Sequence, residues 1–103
     1  MAIYYFMVEA VPNKDNPESE IYTGAFVNIW AKSESEEVAF KKVQEYLALE
    51  GWTYVKTEDF SIAHRAVYTD IPEALECYDA ACECGIGGAF YTWSDDDGPR
   101  HYS

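Results

Sequence analysis

The chain has 103 residues, 49% of them hydrophobic, enough for one core without disulfides and too many for an intrinsically disordered segment. Nineteen acidic against seven basic residues give a net charge of −12. That charge repels phosphate backbones and anionic lipids, so neither nucleic acid nor a membrane surface is an expected partner, whereas a basic protein is.

The opening residues, Met1 to Pro12, are apolar but carry no basic flank. They meet Glu9 and Pro12 too early for a signal peptide or a membrane span. Three cysteines without an export signal point to reduced thiols, and the expected location is cytoplasmic. Residues 2–11 are rich in aromatic and branched side chains and read as a strand, and 12–20, with two prolines and two asparagines, as a loop. A second strand is expected over 21–31, with Gly24 marking a bulge or a close backbone approach.

Ser33 opens a Ser-x-x-Glu capping box closed by Glu36, and the helix that follows is stopped by Gly51. At the helical period Ala39, Phe40, Val43, Tyr46 and Leu47 share one apolar arc. Residues 52–68 read as one long extended segment. Asp70 is the expected cap of a second helix, with Pro72 in its first turn and Glu73 three residues after the cap, and Gly85 ends it. Residues 88–93 form a short last strand. The domain is expected to span 1–93, followed by a polar acidic tail, 94–103.

The order strand, strand, helix, strand, helix, strand implies an α+β fold. The expected form is a two-layer sandwich, a ferredoxin-like variant with a mixed four-stranded sheet and both helices on one face.

All three cysteines fall in ECYDAACECG, residues 76–85. On a helical wheel Ile71, Leu75, Tyr78 and Cys82 form the face expected to be buried, while Cys77 and Cys84 share a flank. Seven residues apart, those two are separated by about 10.5 Å along the axis, too far for a disulfide or a shared zinc. The segment is acidic and lies toward a helix C-terminus, the wrong setting for a nucleophilic thiolate. Ser94 to Gly98 lacks the alternating ligands of a calcium loop, and the Gly85-x-Gly87-Gly88 run follows a helix rather than opening one. No catalytic residue, metal site or cofactor is expected.

The feature above background is the 34-residue stretch between Arg65 and Arg100, which contains no lysine or arginine. Glu76, Asp79 and Glu83 form a stripe on the second helix, and Glu73, Asp95, Asp96 and Asp97 extend it as a candidate surface for a basic partner. The expected function is a non-enzymatic binding module. The alternative is a small enzyme or ligand carrier with a cleft around His64, completed by a carboxylate and by Tyr54 or Tyr68. Aromatic residues make up 17% of the chain, more than two helices on one face can cover. Tyr22, Phe26 and Trp30 share one side of the second strand, and a homodimer packed through the open sheet face is expected.

The segments GAFVNIWAKSESEE, LEGWTYV and ALECYDAACECGIGGAFYTW resemble a group of short bacterial proteins without an agreed activity. The resemblance covers about half of the chain and rests on caps, helix ends and strands, so it transfers no catalytic residue. In size and acidity the chain is also similar in character to bacterial immunity proteins and antitoxins, which neutralise basic enzymes.

Overall fold

The computed structural model describes residues 1–94. The elements are β1 (Ala2–Pro12), a 3₁₀ turn (Pro17–Glu20), β2 (Gly24–Ser33), α1 (Glu36–Leu49), β3 (Trp52–Ala63), a second 3₁₀ turn (Arg65–Tyr68), α2 (Pro72–Cys84) and β4 (Ile86–Trp93). The fold is α+β, one four-stranded sheet with two helices, and the strand order is β3-β1-β2-β4.

Every neighbouring pair in the sheet is antiparallel, so it is not mixed. The crossover inferred from β2-α1-β3 is present, because β2 and β3 both run opposite to β1 and hence parallel to each other. β1 lies between them, however, and no two parallel strands touch. Across α1 the intervening helix gave the strand direction but not the adjacency; across α2 it gave neither, since β4 runs opposite to β2 and hence opposite to β3.

The helices also part company. Phe6, Val8 and Ala10 of β1 and Ala25, Val27, Ile29 and Ala31 of β2 pack with Ala39, Val43 and Leu47 of α1. The alternate strand positions, Ile3 and Trp30, join Ala63 and Ala81 of α2 in a second cluster. Successive residues of a strand point to opposite faces, so α1 and α2 cover opposite sides of the sheet. The adjacent glycines of β4 show the same division. A side chain at Gly87 would strike the Cys77 carbonyl of α2, and one at Gly88 would strike the Tyr46 ring of α1.

The open face expected for a dimer is therefore occupied. Trp30 is only 2% exposed, beneath Tyr5 and Tyr68. Tyr22 packs against the α1-side core, and Phe26, 40% exposed, lies against the Trp93 ring. The three residues do not make one patch.

Local signals explain the element ends. β2 runs on to Ser33, which pairs with Ala2, so Ser33 belongs to the sheet and does not cap α1. The cap is Ser35, whose Oγ accepts from Val38 N–H at 3.2 Å, with Glu36 and Glu37 in the first turn favoured by the positive end of the helix dipole. Gly51, at φ 85°, makes the turn into β3, and its carbonyl accepts from Asn13 N–H and Asn16 Nδ2, both at 2.9 Å. The β1–β2 loop is thereby tied to the α1–β3 turn. At Gly24 the expected close approach is that of the Trp93 ring.

Segment 52–68 is one strand only to Ala63; Arg65–Tyr68 then turns as 3₁₀ helix. β3 is an edge strand carrying two register shifts against β1, which leave Glu58 and Val55 without partners. Such bulges and the charges of Lys56, Glu58 and Asp59 discourage pairing with another sheet.

Candidate functional site

Ala74, Cys77, Tyr78 and Ala81 are the α2 residues turned to the sheet, at positions i, i+3, i+4 and i+7. The helix is rotated from the face expected on hydrophobicity: Cys82 is exposed, and Ile71 is 51% exposed. The rotation follows from close packing. A Cβ on Gly87 would lie 2.4 Å from the Cys77 carbonyl oxygen and 3.0 Å from Ala80 Cβ, so α2 sits directly on the bare β4 backbone through its small residues. Ile71, not Asp70, occupies the N-cap position and offers no side-chain cap. At the far end Gly85, at φ 96°, closes the helix, and Lys32 Nζ donates to the Cys82 carbonyl at 3.2 Å, placing a cation at the negative end of the dipole.

Beneath the first turn of α2 and the 3₁₀ turn before it, helix and sheet separate around a cavity of about 370 Å³. The sheet contributes Tyr5, Asn28, Trp30, Ser61, Ala89 and Tyr91 to its wall. The covering segments contribute Val67, Tyr68, Ile71, Glu73 and Ala74. The 3₁₀ turn and the first turn of α2, which opens on Pro72, cover this space before α2 reaches its close contact with Gly87.

The polar groups of the wall are arranged in pairs. Tyr5 donates to Asn28 Oδ1 at 2.8 Å, which fixes the Asn28 amide with its NH₂ still able to donate. Tyr91 donates to Glu73 Oε1, and this hydrogen bond, with burial and the Glu73 charge behind it, pushes the Tyr91 phenol up to about 12. Tyr91 is thus a fixed proton donor, and Glu73 keeps Oε2 as an acceptor. Burial, then the charge of Asp59, raises the Tyr5 phenol above its ordinary value. Trp30 crosses the Tyr68 ring at 90° with centroids 5.4 Å apart, and its indole Nε1 is buried without a hydrogen-bond acceptor. Burying a donor unpaired costs about 1–3 kcal/mol. Among the described residues no lysine, arginine or histidine lines the cavity.

The acidic residues named from the sequence divide into four sets. Glu73 is in the cavity wall. Asp79 is held by Arg65, whose Nε and second terminal nitrogen donate to its two carboxylate oxygens at 3.0 and 3.2 Å. Chiefly through that hydrogen bonding, Arg65 holds the Asp79 carboxyl below its ordinary value. Glu76 and Glu83 are exposed and make no ion pair among the described residues. Asp95, Asp96 and Asp97 lie outside the described residues.

His64 is exposed and stands outside the cavity. Of its expected companions Tyr68 lines the cavity, but Tyr54 packs on the α1 side with its hydroxyl on Thr57. The cysteines are free thiols, and burial, then Glu73 and Glu76, raises the Cys77 thiol above its ordinary value. No group of three histidine, cysteine or acidic residues among the described residues is arranged to hold a metal ion. Nor is any described helix long and apolar enough to cross a membrane.

Sequence reading missed the cavity because Tyr5, Trp30, Tyr68 and Tyr91 come from four elements far apart in the chain. The signal was there as an excess of aromatic residues, but it was assigned to a dimer face. No protein-family model matches the chain, and comparison with curated proteins and with solved structures found no match.

Proposed function

We propose that the protein is a non-enzymatic cytoplasmic binding module that docks a basic protein partner on its α2 side. The observation that supports this is the charge of α2: four carboxylates, Glu73, Glu76, Asp79 and Glu83, with Asp79 alone neutralised by an ion pair among the described residues. Exposed charges of one sign attract a complementary surface and speed its arrival, and they repel other acidic proteins. Less supports the rival reading, catalysis around His64, since His64 is exposed and is not in the cavity wall.

The test compares wild-type protein with a Glu76→Gln/Glu83→Gln variant in capturing partners from native lysate at low and high salt. The expected result is a captured protein of net positive charge that is released by salt and held several-fold more weakly by the variant. A partner indifferent to both salt and substitution, or only acidic partners, overturns the proposal.

A further inference from the structure

Exposed ion pairs contribute little to affinity, so docking on α2 needs an anchor that fills a desolvated pocket. Resting on the reading of the α2 side as a docking surface, we propose that the cavity beneath α2 receives an arginine side chain of the basic partner.

Four aromatic residues, Tyr5, Trp30, Tyr68 and Tyr91, stand around the space. A guanidinium is flat, weakly hydrated and always charged, and it stacks on such rings where a compact ammonium keeps its water. Glu73 gives the space its sign. One carboxylate oxygen is occupied by the Tyr91 hydroxyl, which fixes the group in place, and the other is left to accept from a guanidinium. Among the described residues no cation competes for it, since the wall contains none and nearby Arg65 is bound to Asp79. At about 370 Å³ the cavity is of the size that ligand pockets have. Val67 and Ile71, both largely exposed, supply apolar surface for the aliphatic stem of the side chain.

A second cavity, lined by Phe6, Phe40, Phe60, Glu36 and Glu37 near the start of α1, also joins rings to carboxylates. Its polar groups are weaker grounds for a site, because Glu36 and Glu37 occupy the first turn of α1, where the helix dipole already accounts for them.

The experiment titrates the full chain with Nα-acetyl-arginine N-methylamide and with its citrulline counterpart, the same shape without the charge. It follows the Trp30 indole N–H and the tyrosine ring signals by NMR. Binding of the arginine probe at least about tenfold tighter than citrulline, with shifts centred on Trp30, Tyr68 and Tyr91, is the expected result. Glu73→Gln keeps an acceptor for Tyr91 while removing the charge, and is expected to erase the preference for arginine. Equal affinity for the two probes, unchanged Trp30 signals, shifts centred on Phe6, Phe40 and Phe60, or an unaltered preference in Glu73→Gln overturns the proposal. So does the absence of binding at millimolar probe. Probe binding is read without a partner protein, so failure of the pocket and failure of partner docking are separate results.

Discussion

The two faces of the sheet are built from the same strands and differ in almost everything else. On the α1 side Val8, Val27, Ile29, Val43 and Leu47 are fully buried in one continuous aliphatic cluster. On the α2 side the enclosed cluster is only Ile3, Trp30, Ala63 and Ala81, and beside it lie an unpaired indole N–H and a cavity whose wall carries the Tyr5–Asn28 and Tyr91–Glu73 hydrogen bonds. Close packing and full pairing of polar groups favour the folded state, whereas space and unspent hydrogen-bonding capacity favour a ligand. One face carries most of the aliphatic packing of the domain, and the other, on the proposed reading, gives up some of that packing for recognition.

The contrast is broken most directly by truncating side chains on each side. Leu47→Ala removes a fully buried side chain from the α1 cluster and is expected to cost about 2–5 kcal/mol in urea unfolding, with the unfolding slope unchanged. Val67→Ala at the cavity rim, where the side chain is largely exposed, is expected to change stability by no more than about 0.5 kcal/mol. Comparable losses at the two positions would mean that the α2 side is as much a core as the α1 side.

The α1 face was also the legible one. Its helix has a strong apolar period, a serine cap within two residues of the expected one, and a glycine stop, all local signals that tertiary packing had no reason to override. β1, β2 and β4 could be placed within a few residues because branched and aromatic runs lie between turn residues. Strand adjacency was not legible, because no local feature says that β1 inserts between β2 and β3. The setting of α2 was misread for a related reason. Its wheel was turned by hydrophobicity toward Ile71 and Cys82, but the decisive contact is steric, between small helix residues and Gly87 on a later strand. The acidic residues were seen as a stripe, whereas the structure gives Glu73 to the cavity and Asp79 to Arg65. A rule that pairs a glycine-rich strand with an alanine- and cysteine-rich helix would have found the rotation.

That steric contact supplies a sharper comparison, between two adjacent glycines on opposite faces. Gly87→Ala places a methyl group 2.4 Å from a backbone oxygen of α2, so the helix must move away from β4. Overpacking of this kind costs about 1–3 kcal/mol. Gly88→Ala places its methyl 3.0 Å from the tip of the Tyr46 ring and 3.2 Å from the Asn28 carbonyl, where much of the relief can come from a side chain. Its expected cost is smaller, below about 1 kcal/mol. Thermal unfolding of the two variants decides the order. The reverse order would show that α2 is loosely seated and that α1 is the helix held tightly to β4.

The smallest expected effect concerns the Arg65–Asp79 pair, which links the 3₁₀ turn over the cavity to α2. Both side chains are about half exposed, so the pair is a weak contributor at neutral pH. Its pH dependence is nevertheless specific. The Asp79 carboxyl is held below its ordinary value of 3.8, so the folded state binds that proton less readily than the unfolded chain. The stabilisation is fully present above 3.8 and is lost as pH falls through the lower folded value. Asp79→Asn removes the charge at every pH. Its melting temperature is therefore expected to lie slightly below that of the wild type at neutral pH and to converge on it in acid. The Tyr68 ring signals should shift along with the loss, since Tyr68 ends the same 3₁₀ turn, while those of Phe40 on the α1 side should not. A constant gap between the two melting curves across this range would show that the pair does not hold the segment covering the cavity.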